Sequence, residues 1–250
     1  GLCWSSCTNE VDEFIGNVEP STRSVSTALN ANLASLFTGG APTLTSAEIK
    51  EVNDAYAKMT SINCYRNIDE AVRNKTSYAG TIFLDDTYAS AYFRKGSLAF
   101  PPYGILASSM EHEFIHMYQR DVQGKKVDTD KEKRDTGMME FELAFYQGII
   151  RYIHAGYSWT FKGEDGDPSY QSLWTSGLTD PSLIPQYERE FQTYVASICA
   201  NGKPTSIDIN EFVKWSNIFG EYSRGYSGKG YKFGNYDYGT SCINSLLKLY

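Results

Sequence analysis

The chain has 250 residues, enough for one globular domain with or without an appended subdomain. Its formal net charge is −7 and no stripe of Lys and Arg runs along it, which argues against a nucleic-acid partner, because phosphate binding needs clustered cations. Hydrophobic residues make up 41% of the chain, enough for a real core, and no apolar run approaches the roughly 18 residues that span a bilayer.

Residues 1–20 read as a flexible lead-in. Ser5-Ser6-Cys7 followed by Thr8-Asn9-Glu10 resembles a bacterial lipoprotein box, in which the cysteine carries the lipid. That likeness implies an exported protein: a cell-surface or periplasmic lipoprotein, or a secreted one. Five cysteines (Cys3, Cys7, Cys64, Cys199 and Cys242) show no CxxC metal spacing. In an exported protein, one pair among Cys64, Cys199 and Cys242 could be bridged.

Helical spacing of Val25, Leu29, Leu33 and Phe37 predicts a helix over Thr22–Phe37, broken by Gly39-Gly40 and Pro42. Thr45 and Glu48 form a capping box that opens a second helix through about Met59. A shorter helix follows around Asn67–Arg73. Thr81–Leu84, Ala91–Arg94 and Ser97–Phe100 are rich in strand formers, with Asp85-Asp86 as a turn and Pro101-Pro102 as a stop. The period is helical again from Ile105 to about Arg120.

The charged stretch Gly124–Asp135 reads as a loop, and Thr136–His154 as a strong helix. Gly156–Asp180 looks like a long connection. Glu164-Asp165-Gly166-Asp167 within it is an incomplete match to a calcium loop and reads as a solvated turn. Helices are expected over Pro185–Cys199 and Ile209–Phe219. A Gly- and Tyr-rich segment covers 220–240, and a short helix closes the chain from Ser241. This order of helices, a small sheet and more helices is an α+β pattern. Residues 21–250 are expected to form a single domain and to act as a monomer.

The chemistry concentrates at Met110–Tyr118. His112 and His116 are four positions apart, which puts both imidazoles on one helix face, where they can bind one Zn²⁺. Glu113 sits in the slot from which a carboxylate can take a proton from an activated water. The chain has only three His, and two of them fall at this spacing. Catalytic zinc usually takes three protein ligands. Two candidates for the third, Glu140 and Glu142, stand on the next long helix but on different faces. Gly137 and Ala144 beside Glu140 are small enough for another helix to approach, which favours Glu140.

His112-Glu113-Phe114-Ile115-His116 resembles the HExxH helix of the zincin metallopeptidases. Glu140, 24 positions after His116 in Glu140-Phe141-Glu142-Leu143-Ala144, resembles the third ligand of the gluzincin branch. The likeness covers about residues 78–155 and implies a zincin-like fold there; the helices before it and the residues after about 156 fall outside it, and 156–250 reads as mostly helical from its own periodicity. It further implies a zinc cofactor bound by His112, His116 and Glu140, and hydrolysis of a peptide or protein substrate with Glu113 as base.

In many gluzincins an Asp four residues after the glutamate ligand orients a histidine. Ala144 stands there instead. The family also aligns peptides on an edge strand, for which Ala91–Phe100 is the best candidate. The oxyanion partner would come from His154 or from the tyrosines of 222–238. The alternatives are an exported binding protein that keeps the fold but does not cut peptides, and a structural domain with an accidental motif.

Overall fold

The computed structural model describes residues 28–126, 132–154, 179–223 and 225–250. The lipoprotein-like box, residues 22–27 of the first expected helix, the calcium-loop likeness and nearly all of the 156–180 connection lie outside the described residues. The protein is a mixed α+β structure, mostly helical, with a small three-stranded sheet and a two-stranded ribbon. The chain divides into two compact units, ending and beginning at Met117 and Tyr118.

In the first unit, α1 covers Ala31–Leu36, capped by the Asn30 side chain on the amide of Asn32. The helix begins later than the sequence suggests: residues 28–30 are not helical. Helix α2 (Ser46–Thr60) opens on the expected capping box. The Thr45 amide donates to Glu48 Oε2 at 2.7 Å, and the Glu48 amide donates to Thr45 Oγ1 at 3.3 Å. Helix α3 (Asn63–Lys75) starts four residues earlier than the Asn67 read from sequence, because Cys64 and Tyr65 continue the buried stripe of Ile68 and Val72.

Strands β1 (Ile82–Leu84), β2 (Tyr92–Arg94) and β3 (Ser97–Phe100) form a sheet of order β1-β3-β2, with β1 parallel and β2 antiparallel to β3. Lys95 and Gly96 make the β2–β3 turn with φ of 50° and 77°. Two left-handed residues give that turn the twist that a tight hairpin needs. Within Ala91–Phe100, then, β3 is the central strand, already paired on both sides, and only β2 lies at an edge. The other edge, β1, is met by residues 37–40: Ile82 donates to the Gly40 carbonyl and Gly39 to the Gly80 carbonyl.

Helix α4 (Ala107–Met117) follows the sheet. Its buried residues Met110, Phe114, Ile115 and Met117 are fully covered, and the Phe114 ring lies 6.3 Å from that of Tyr56 on α2. Such a back anchors the helix while its opposite face carries polar groups.

The second unit begins with one π-helical turn, Tyr118–Val122, running on from α4 without a break. Helix α5 (Glu132–His154) starts before the expected Thr136, so the carboxy-terminal end of the charged stretch is helical. Residues 127–131 of that stretch lie outside the described residues. Helix α6 covers Ile184–Ile198, α7 Ile209–Tyr222 and α8 Ser241–Lys248.

A ribbon of β4 (Cys199–Ala200) and β5 (Lys203–Pro204), not anticipated above, turns at Asn201-Gly202 with φ of 52° and 74°. Asn-Gly is the strongest short signal for such a hairpin. The core of this unit is aromatic. Phe141 lies 5.0 Å from Phe212 and 5.6 Å from Phe219, and Phe191 packs edge-on to Trp215 at 5.9 Å. Cys64, Cys199 and Cys242, among which an exported protein could have formed a bridge, are all free thiols. Among the described residues, no helix is long and apolar enough to cross a membrane.

Candidate metal centre

The four-residue spacing acts as helical geometry requires. The His112 and His116 rings stand one turn apart on α4, with centroids 4.8 Å apart and planes at 80°. Both are half-buried. Glu113 is 4% exposed, and its Oε1 lies 4.0 Å from His112 Nε2. The carboxylate thus sits at the flank of the imidazole pair rather than out in solvent.

Glu140 is half-buried on α5, and the Tyr226 hydroxyl donates to its Oε2 at 2.8 Å. Glu142 is in a different environment. It is fully buried, and its Oε1 accepts from Gln119 Nε2 and from the Tyr238 hydroxyl, each at 2.9 Å. Burial pushes its carboxyl up from the ordinary range, opposed by the Cys242 thiol, the Gln119 amide and the Tyr238 hydroxyl. The same burial, with Glu142 beside them, pushes the Tyr238 hydroxyl and the Cys242 thiol up as well.

His112, His116 and Glu140 form a group that can hold a metal ion: each offers one ligand atom, and the three atoms lie within 4.8 Å of one another. Two imidazole nitrogens and one carboxylate oxygen make a donor set suited to zinc and to other divalent first-row metals. Tetrahedral bonds of about 2.0–2.1 Å place ligand atoms roughly 3.3 Å apart, the separation such a group would take around an ion. Glu142, the other candidate carboxylate, is committed to Gln119 and Tyr238.

The small residue before Glu140 has a different use from the one read in the sequence. A Cβ on Gly137 would lie 2.9 Å from the Lys232 carbonyl and 3.2 Å from the Phe233 ring. Gly137 therefore accommodates the tyrosine-rich segment. His154 is exposed at the end of α5, its ring 5.9 Å from that of Tyr250, and it is not part of the metal-binding group.

Sequence reasoning missed Gln119. It is fully buried on the π-helical turn, and its Nε2 donates to the Met139 carbonyl as well as to Glu142. The sequence carried little signal for it, since the burial of a glutamine, and with it the need for partners, is decided by packing.

No family model matches the chain, and neither a curated protein nor a solved structure does.

Proposed function

We propose that this protein is a zinc-dependent metallopeptidase of zincin-like fold that hydrolyses peptide bonds. The observation that supports it is the approach of His112, His116 and Glu140 to within 4.8 Å, with a carboxylate directly beside His112. His112 and His116 bind through imidazole nitrogens and Glu140 through a carboxylate oxygen. When bound, zinc supplies Lewis acidity and a lowered water pKa.

Glu113 takes the proton of the attacking water on its carboxylate and returns it to the leaving amine nitrogen, so the peptide C–N bond breaks with no net proton change. The edge strand β2 offers backbone groups along which an extended peptide can pair. The buried back of α4 (Met110, Phe114, Ile115 and Met117) anchors the helix that carries the two imidazoles. The same donor set would serve an exported binding protein that holds metal without cutting.

Elemental analysis of the purified protein, followed by digestion of a broad peptide library with a chelator control, tests this reading. Stoichiometric zinc and chelator-sensitive cleavage are expected. Glu113→Gln is expected to keep its zinc while cleavage falls about 10²–10⁴-fold, the usual worth of a general base. Zinc without cleavage would favour the binding protein, and full cleavage by Glu113→Gln would refute the role of the base.

A further inference from the structure

The tyrosine-rich segment after α7 is anchored where its function would require it to be rigid. Phe233 lies in a notch cut by two glycines on two helices. A Cβ on Gly220 of α7 would stand 2.2 Å from the Phe233 ring, and one on Gly137 of α5 would stand 3.2 Å from it. Both glycines are therefore needed for the ring to lie where it does.

Gly234, at φ 70°, turns the chain immediately afterwards, and its amide donates to Ser216 Oγ on α7 at 3.0 Å. Tyr226 packs into the same cluster, with ring centroids 5.2 Å from Phe219, 5.2 Å from Tyr231 and 6.3 Å from Phe233. Its backbone is tied into a turn by the bonds from Tyr226 to Ser223 and from Lys229 to Tyr226. An aromatic strap is thus fastened to α5 and α7 at one end and carries a hydroxyl at the other. That hydroxyl is the one 2.8 Å from Glu140 Oε2.

We infer that Tyr226 is a positioning residue for the metal ligand Glu140, held in place by the Phe233 anchor in the Gly137–Gly220 notch. The inference rests on the metal-centre reading proposed above. A carboxylate on a helix rotates freely about its last torsion, and each of its oxygens can bind a metal alone or together. A hydrogen bond to Oε2 from a rigid donor fixes the carboxylate plane and favours single coordination through the other oxygen. It also draws charge from the ligand, as outer hydrogen bonds to metal-binding carboxylates do. Ala144, four residues after Glu140 on the same helix, carries no polar group, and Tyr226 supplies an outer contact to Glu140 from a different part of the chain.

The test is competition for Zn²⁺ between the full chain and a chromophoric chelator, using wild type, Tyr226→Phe, Tyr231→Phe and Glu140→Ala. Melting of each metal-free protein is followed in parallel, along with the visible spectrum of the Co²⁺ form. Tyr226→Phe keeps the ring in the cluster and removes only the hydroxyl. It is expected to bind Zn²⁺ about 10–100-fold more weakly, the usual loss of an outer-shell partner, with unchanged metal-free melting and a shifted Co²⁺ spectrum.

Tyr231→Phe keeps wild-type affinity, because it alters the strap without touching the bond to Glu140. Wild-type affinity in Tyr226→Phe, with binding lost in Glu140→Ala, would overturn the positioning role and leave the metal centre standing. Equal weakening in Tyr226→Phe and Tyr231→Phe would also overturn it, since the effect would then be loosening of the strap. Failure of the wild type itself to bind Zn²⁺ would overturn the metal centre and this inference together.

Discussion

Gln119 stands three residues after His116 on one unbroken run of helix, and its side-chain amide donates to the carbonyl of Met139, the residue before Glu140. A π turn rotates the following side chains relative to α-helical register and is often found at functional sites. Gln119 thereby joins the π-helical turn to the backbone of α5. Replacing Gln119 with Leu leaves the Met139 carbonyl and the Glu142 carboxyl short of a buried donor. The expected loss is about 1–3 kcal/mol of unfolding free energy, read from urea denaturation of the metal-free protein.

Glu140 and Glu142 are separable by chemistry. Glu140→Gln is expected to lower zinc affinity by more than the roughly 10–100-fold that follows loss of an outer partner. Glu142→Gln preserves hydrogen-bonding capacity at a buried site and is expected to retain zinc at wild-type stoichiometry. Equilibrium dialysis against a metal buffer reads both variants. Zinc lost from the Glu142 variant and kept by the Glu140 variant would reverse the assignment.

Gly220 tests the strap without touching any polar group of the site. An added methyl meets the Phe233 ring at 2.2 Å, and the ring is packed between α5 and α7. Gly220→Ala is expected to cost about 1–3 kcal/mol, as overpacking does, in spite of the helix propensity that alanine adds. A rise in denaturation midpoint would show that the ring moves aside freely.

Asp85 provides the acid-side prediction. Thr87 donates to its carboxylate through its side chain, Tyr92 does so through its hydroxyl, and the Thr87 amide adds a third bond. These bonds, the Thr87 side chain first, hold the Asp85 carboxyl below its ordinary range, and Tyr92 is pushed up to about 12 by burial and by Asp85. With the folded value depressed, the stabilisation is present above the ordinary aspartate range. It is lost as pH falls through the lower folded value. Denaturation of wild type and Asp85→Asn is expected to show the two converging in stability as pH drops below about 3.9. A gap independent of pH would contradict the bonding around Asp85.

The local signals in the chain were strong where the physics is local. The Thr45–Glu48 capping box and the three short strands follow from neighbours within a few residues, and the structure forms them close to where they are read. The His112–His116 pair is of the same kind, since four residues of helix alone bring the two rings together. Asn201-Gly202 carried an equally local hairpin signal, hidden inside what reads as the end of one helix and a loop.

Tertiary packing decided the rest. Sheet order placed β3 at the centre and left β2 at an edge, which no alternation pattern within Ala91–Phe100 distinguishes. Glu140 and Glu142 are two residues apart with the same chemistry. One is half-buried and accepts from the Tyr226 hydroxyl, and the other is fully buried, because Tyr238 and Gln119 reach Glu142 from distant parts of the chain. The same holds for the histidine-bearing helix itself. Its sequence determined that His112 and His116 face one way, since a helix turn is a local geometry. Only the fold placed the Tyr226 hydroxyl, 86 positions later, on the Glu140 carboxylate, because contacts between distant segments are set by the packing of side chains such as Phe233 between helices.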